Sequence, residues 1–162
     1  MKWLFIVSFL LVSGLAGAAE RAPFELGVSP NLAFAGGGSR FSIGAFFKIP
    51  INDRWQIKLA DDALVRAGGR HNFTAGVNYN FSDDWRSAYF AGAGVGYRPQ
   101  PYPDYFAAKD QWLGYLEVGK RFTLVHSLGL NFAPQVQLSF ADGANGPALE
   151  MKIMPANITW MF

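Results

Sequence analysis

Strict alternation between apolar residues and small or polar ones is the feature that most constrains this chain. The alternation is unbroken over residues 71–81. Successive side chains of a strand point to opposite faces, whereas a helical period would mix the two sets. The apolar set is Phe73, Ala75, Val77, Tyr79 and Phe81, and the opposing set is Asn72, Thr74, Gly76, Asn78 and Asn80. The segment therefore predicts a strand with one apolar face.

Seven further segments show the same period of two, which brings the number of predicted strands to eight. They span residues 24–34, 41–49, 55–59, 89–97, 112–122, 127–140 and 154–162. The last of them places Met154 on the same apolar face as Ala156, Ile158, Trp160 and Phe162. An even number of antiparallel strands of about ten residues is typical of a membrane barrel.

Four positions predict irregular pairing. Pro30, Pro134 and Pro155 lie within strand segments, and proline removes a donor from the ladder of hydrogen bonds. In the third segment, the same parity continued past Leu59 would put Asp61 on the apolar face. We therefore expect that strand to leave the membrane or to bulge near residues 60–62.

Alternation alone does not separate a membrane barrel from a soluble lipocalin-like barrel or β-sandwich, which also buries one apolar face. Composition favours the membrane. Charged residues make up 16% of the chain and aromatic residues another 16%, with 18 glycines, whereas soluble domains carry about 25% charged residues. The predicted fold class is all-β, an eight-stranded antiparallel up-and-down transmembrane β-barrel.

The connections and the aromatic residues predict which end of the barrel faces the periplasm. Residues 51–54, 82–84 and 124–126 form short connections, and residues 60–70, 98–111 and 141–147 form longer ones. Short turns are periplasmic and long loops are external in such barrels, although the glycine turn at residues 36–39 is a short exception. Aromatic girdles are expected at both interfaces. The inner one comprises Trp55, Phe81, Trp85, Phe122, Trp160 and Phe162, and the outer one Phe34, Phe41, Phe73, Tyr97, Trp112 and Phe140.

The N-terminus has the layout of a secretory signal peptide. A basic start at Lys2 precedes an apolar run over residues 3–12 and small residues with an A-x-A-like pattern at Ala16 and Ala18. We expect residues 1–19 to be a cleaved signal peptide and residues 20–162 the barrel. The chain has no cysteine, and its formal charge of +2 includes no basic cluster that would suggest nucleic acid.

The last strand resembles the C-terminal signal of bacterial outer-membrane proteins, which ends in an aromatic residue after alternating apolar ones. Phe162, Trp160 and Ile158 match that signal, and the glycine-rich strand at residues 87–97 is similar to strands of small OmpA- and OmpX-like barrels. The resemblance implies a cell outer-membrane location in a Gram-negative envelope and insertion by the barrel assembly machinery.

Charged residues on the inner face form the first candidate site. Eight strands enclose an interior just wide enough for side chains, so isolated charges there must be paired. The residues concerned are Glu25, Lys48, Lys58, Glu117 and Arg121. By depth, Glu25 should meet Lys48, and Glu117 should meet Lys58 or Arg121. The glycines at 92, 94 and 96 should leave room for large groups from the opposite wall.

A proline-rich external loop is the second candidate site. Its residues Arg98, Tyr102, Asp104, Tyr105 and Phe106 form a candidate binding loop, because external loops often carry function; the alternative is a stiff cover over the barrel mouth. Asp61–Asp62 and Asp83–Asp84 are interpreted as turn residues rather than as a cation site. No metal or cofactor is expected.

The sequence predicts a protein without catalysis, in a structural or surface-interaction role, with a filled lumen and a porin-like barrel. Its expected partners are outer-membrane lipids and lipopolysaccharide, and a monomer is expected. The alternatives are a lipid A-modifying enzyme, similar to barrel-shaped lipid A deacylases, or a narrow solute channel. Neither His126 next to Ser127 nor His71 has the two-residue His–Ser spacing of those deacylases.

Overall fold

The computed structural model describes residues 23–35, 38–65, 71–99, 110–143 and 146–162, and these form a closed antiparallel β-barrel. No helix among them is long and apolar enough to cross a membrane. The strand segments are β1 (Glu25–Ala35), β2 (Gly38–Pro50), β3 (Trp55–Leu64), β4 (His71–Asn80), β5 (Tyr89–Arg98), β6 (Gln111–Lys120), β7 (Phe122–Val125), β8 (Leu130–Phe132), β9 (Gln135–Gly143), β10 (Gly146–Met154) and β11 (Ile158–Met161).

Strand β1 closes the barrel. One of its edges pairs with β2 from Glu25 opposite Lys48 to Ala35 opposite Gly38. The other edge pairs with β11 near the start of β1 and with β10 near its end. The segments β6 and β7, β8 and β9, and β10 and β11 are each one barrel strand with an interruption, so the barrel has the eight strands that the sequence predicts.

Two of the three prolines interrupt a strand. Pro134 separates β8 from β9 and Pro155 separates β10 from β11, whereas Pro30 pairs with Ile43 in an unbroken register. The interruption after β10 adds a residue and exchanges the two faces, as a β-bulge does. The prediction that Met154 faces lipid is therefore wrong, because Met154 is buried at 3% exposure while Trp160 faces outward.

Strand β3 continues further than the sequence suggests. It runs to Leu64 and keeps its register with both neighbours, so the expected bulge near residues 60–62 is absent from this strand. Asp61 and Asp62 are consequently strand residues and not turn residues. Asp61 points outward and is half-buried, and Asp62 points into the lumen and is buried.

The connection over residues 81–88 joins β4 to β5 at one end of the barrel, called the lower end below. In it, Asp84 accepts hydrogen bonds from the Ser87 hydroxyl at 2.5 Å and from the Arg86 backbone N–H at 3.1 Å. The Ser87 hydrogen bond lowers the pKa of Asp84. This turn directs Trp85 inward against Met161, with 7% exposure. Trp85 is therefore not part of the inner girdle, contrary to the prediction from its position.

One expected long connection is short. Strands β9 and β10 continue pairing to Gly143 opposite Gly146, so residues 141–147 are mostly strand. The β7–β8 connection is a 3-10 turn, His126–Leu128, and ends at Gly129, whose positive φ of 61° favours glycine.

The two faces of the wall differ in chemistry as the alternation predicts. Outward positions carry exposed apolar side chains, for example Val28, Ile43, Leu59, Val95, Leu116 and Leu138. Inward positions carry buried polar and charged ones, including Ser29, Asn31, Gln56, Asn78, Gln137 and Thr159. A soluble barrel buries its apolar face inside, so this polarity is the reverse of a soluble one.

A glycine pair on neighbouring strands makes room for Tyr115. A Cβ atom added at Gly94 would lie 2.3 Å from the Ala75 carbonyl oxygen and 2.7 Å from the Tyr115 ring. A Cβ atom at Gly76 would lie 2.4 Å from the Tyr115 hydroxyl. Tyr115 belongs to β6 and pairs directly with Gly94. We expected side chains from the opposite wall to fill the space beside these glycines. At Gly94 the space is filled instead by Tyr115 from the adjacent strand.

We expect Gly94→Ala to destabilise the barrel by about 1–3 kcal/mol, because overpacking a filled interior forces shifts of backbone and side chains. The measurement is the urea midpoint of the folded band in unheated gel electrophoresis. Gly114→Ala is the matched control, since a Cβ atom there meets nothing within 4 Å. Equal midpoints for the two variants would contradict the packing argument.

Candidate functional site

Arg121 contacts several side chains in the lower part of the lumen, which is the end near the β2–β3 and β4–β5 turns. Its guanidinium donates to Glu25 Oε2 at 2.7 and 3.2 Å and to Gln56 Oε1 at 3.1 Å, and it also donates to Asn80 Oδ1. Lys48 Nζ lies 3.3 Å from the same Glu25 oxygen. One carboxylate on β1 therefore serves two cations. These charged side chains are fully buried, with 0% exposure for each residue.

Aromatic rings also contact the two cations, Lys48 and Arg121. Lys48 Nζ lies 4.5 Å from the centre of the Phe90 ring, and the Arg121 guanidinium lies 4.7 Å from the same ring. The centre of the Trp85 ring lies 6.0 Å from the Arg121 guanidinium. Ring faces attract cations, so they offset part of the excess of cations around Glu25. Together these groups fill the lower lumen.

A second ion pair lies higher in the lumen. Lys58 Nζ donates to Glu117 Oε2 at 2.6 Å, and Asn78 Nδ2 donates to Glu117 Oε1 at 2.8 Å. Lys58 and Glu117 come from β3 and β6, and both side chains are almost completely buried. Each carboxylate oxygen of Glu117 thus has its own donor, as a buried charge requires.

Two more pairs continue the series toward the other end of the barrel. Lys152 Nζ donates to Asp62 Oδ2 at 2.5 Å, and Asn31 Nδ2 donates to Asp62 Oδ1 at 2.8 Å. Arg98 then pairs with Glu150 at 3.1 Å, with both side chains about one-tenth exposed. The ion pairs therefore connect strands along the height of the lumen.

The structure brings together all five charged residues that the sequence places in the lumen, with Glu117 on Lys58 and Arg121 on Glu25. Sequence reasoning missed Asp62, Lys152 and Glu150. Asp62 continues the inward parity of Gln56 and Lys58, which is a signal in the sequence itself. Lys152 and Glu150 were missed because the alternation of residues 156–162 was assumed to continue unchanged before Pro155, which puts both side chains on the outward face.

Arg98 is the described member of the candidate external loop, and its pairing with Glu150 places it in the upper lumen rather than at a free surface. Tyr102, Asp104, Tyr105 and Phe106 lie outside the described residues. The terminal residues Ile158, Trp160 and Phe162 share the outward face, with Trp160 and Phe162 exposed.

The two histidines lie outside the lumen. The His71 Nδ1 atom is 2.9 Å from Asp61 Oδ2, and its ring stacks on Phe73. His126 is exposed in the β7–β8 turn, where its ring contacts the Arg86 guanidinium. In the described part of the chain, neither ring has a serine hydroxyl as a hydrogen-bond partner.

No protein-family model matches this chain, and no curated protein is significantly similar to it. Solved structures are similar. Neisserial surface protein A has 13% identity and a TM-score of 0.57, covering 90% of this chain and 99% of that one. The N-terminal barrel domain of OprF from Pseudomonas aeruginosa has 8% identity and a TM-score of 0.61, covering 85% and 97%.

The attachment invasion locus protein Ail of Yersinia pestis has 9% identity and a TM-score of 0.50, covering 88% of this chain and 98% of that one. At these identities the likeness establishes the fold. This chain has the fold of the small eight-stranded barrels of bacterial outer membranes.

We expect Glu117→Gln to cost about 3–5 kcal/mol of unfolding free energy, because it leaves the buried Lys58 ammonium without its counter-charge. Urea unfolding of the purified barrel in detergent micelles measures this. Asp83→Asn is the control, since the Arg54–Asp83 pair is exposed and exposed pairs contribute little to stability. Adding Lys58→Met to Glu117→Gln should recover part of the loss; no recovery would contradict the pairing argument.

Proposed function

We propose that this chain is an integral outer-membrane protein with a side-chain-filled lumen and a structural or surface-interaction role. The observation that carries the proposal is the reversed polarity of the wall, which is apolar outside and charged inside. A wall of exposed side chains such as Ile43, Val118 and Phe140 suits lipid and not water. Proteins of similar structure include one named as a surface protein and one named for attachment.

The alternative functions have less support. A lipid A deacylase needs a nucleophile beside its base, and His71 instead pairs with Asp61 and stacks on Phe73. A solute channel needs a continuous path, and the Arg121 cluster with Trp85 beneath it fills the lower lumen. We therefore propose a role without catalysis and without a steady pore.

Export and assembly follow from the two ends of the chain. We infer that residues 1–19, which lie outside the described residues, are removed as a signal peptide. The outward-facing Ile158, Trp160 and Phe162 would then be read by the barrel assembly machinery as the C-terminal signal. The assembled protein would be a monomer, with lipid and lipopolysaccharide around its wall.

The proposed orientation places the β5–β6 connection outside the cell. Three prolines and three aromatic residues in residues 98–106 would present a stiff surface for a partner. The role of a surface-interaction protein would depend on this loop, with Tyr102, Asp104, Tyr105 and Phe106 as its contact residues.

The location is tested by labelling intact cells. An epitope inserted between residues 103 and 104 should be accessible to antibody without permeabilisation, because long loops of such barrels are external. The same epitope inserted between residues 52 and 53, in the β2–β3 turn, is the control and should be labelled only after the outer membrane is broken. The reverse pattern would invert the proposed orientation.

The filled lumen is tested by planar-bilayer recording. The purified protein should give no steady conductance, because its lower lumen is closed by fully buried charged side chains. A large porin recorded in the same bilayers serves as the positive control. A stable ohmic current of porin size would favour the channel alternative.

The assembly signal is tested by removing its last residue. Deletion of Phe162 should leave the exported chain unassembled in the periplasm, where it would be degraded or would aggregate. The measurement is the amount of folded, heat-modifiable protein in the outer-membrane fraction, with Phe162→Tyr as the conservative control. Normal levels of the truncated chain would count against a role for Phe162 in assembly.

A further inference from the structure

The outer wall of the barrel contains a valley between two rows of side chains. Each row crosses neighbouring strands at directly paired positions, the lower row on β1 to β5 and the upper row on β2 to β6. The lower row is Leu26, Phe47, Leu59, Ala75 and Val95, and the upper row is Ala45, Asp61, Phe73, Tyr97 and Trp112. With strands about 4.8 Å apart, the valley is about 20 Å long.

Small residues give this valley its depth. Ala45 and Ala75 stand among large aromatic and aliphatic neighbours, and the resulting groove has a volume of about 570 Å³. That volume lies within the range of pockets that hold small ligands, about 300–1,000 Å³. The long, shallow and apolar shape fits one acyl chain lying along the wall.

Asp61 is the charged residue in the lining of this groove. Its side chain is 40% exposed, and the ring of His71 lies against both of its carboxylate oxygens, at 2.9 and 3.1 Å. An ionisable side chain on a lipid-facing wall is rare and is therefore a candidate functional site. A carboxylate has about four acceptor positions, so His71 leaves Asp61 able to accept from a ligand.

The position of Asp61 limits which lipid can reach it. Asp61 pairs directly with Phe73, which pairs with Tyr97 of the outer girdle. This row therefore lies at the level of the aromatic girdle, where the hydrocarbon meets the headgroups. A neutral donor carried on an acyl chain near its linkage reaches Asp61 at this level, whereas an anionic group is repelled by the carboxylate.

We propose that this groove binds a β-hydroxylated acyl chain of outer-leaflet lipopolysaccharide, with its hydroxyl donating to Asp61 and its methylene chain lying over Ala45 and Ala75. Lipid tails are as apolar as leucine, so shape and the hydroxyl provide the preference rather than burial from water. The inference rests on the proposed membrane location and orientation of the barrel.

The test uses the purified full chain in non-ionic detergent micelles, with two probes: the methyl ester of β-hydroxymyristic acid and methyl myristate. Nuclear magnetic resonance of isotope-labelled alanine methyl groups reports the site. The Ala45 and Ala75 signals should shift saturably, while the signal of Ala91, which is outside the groove lining, stays unchanged. The hydroxylated ester should bind about tenfold more tightly, which corresponds to about 1.4 kcal/mol.

Three variants separate the parts of the proposal. Ala75→Phe fills the groove and should abolish binding of both esters, as read from the Ala45 signal. Ala91→Phe, the same change on the same outer wall, should leave binding intact. Asp61→Leu should bind both esters with equal affinity. Each variant is first checked for folding by its mobility in unheated gels.

Other outcomes would overturn the proposal. Equal shifts at Ala75 and Ala91 would indicate general lipid contact, and equal affinities of the original chain for both esters would remove the role of Asp61. Shifts that follow protein concentration, together with a doubled mass, would assign the groove to a second copy of the chain. None of these results affects the labelling of intact cells, so the failure of this inference is distinguishable from the failure of the proposed location.

Discussion

The ion pair between Arg121 and Glu25 is the interaction on which the interior of this barrel depends. It joins β1 to the interruption between β6 and β7, and the same guanidinium reaches Gln56 on β3 and Asn80 on β4. A lone buried charge would be expensive, and a fully paired one fixes the partners in position. Because Lys48 shares the carboxylate of Glu25 and lies over Phe90, the removal of one member would affect both cations. The Trp85 turn then covers this cluster from below.

The closed wall makes such an interior possible. Each barrel strand of the described residues has a neighbour on both edges, so its backbone groups bond mainly within the sheet. Side chains of the lumen can therefore bond with one another across the barrel, as Asp62 does with Lys152 and Lys58 with Glu117. The cost is dense packing. At Gly76 and Gly94 there is space for the ring of Tyr115 only because both lack a side chain.

Much of this architecture could be predicted from alternation alone, because parity is preserved along any strand without a bulge. That rule places Glu25, Lys48, Lys58, Glu117 and Arg121 in the lumen, where the structure has them. It failed where local geometry breaks it or where composition was given more weight than parity. Pro155 changes the face of the last strand, so Met154 was assigned outward and Lys152 was missed. Asp62 was assigned to a turn on residue type, although its parity with Lys58 indicates the lumen. The inward direction of Trp85 depends on the Asp84–Ser87 turn, which alternation does not describe.

Asp61 and Asp62 show how one strand serves two environments. They are neighbours in sequence, yet a strand turns their carboxylates to opposite sides of the wall. Asp62 meets a cation and an amide in the lumen, so its hydrogen-bonding capacity is used within the protein. Asp61 meets a histidine whose side chain is nearly half exposed, in a groove whose other lining residues carry no charge. Both carboxylates are paired, but only the outward one remains open to a ligand from its surroundings. The interior charges of this barrel are therefore partnered within the protein, whereas the outward pair is the part of the charge pattern that a ligand can still reach.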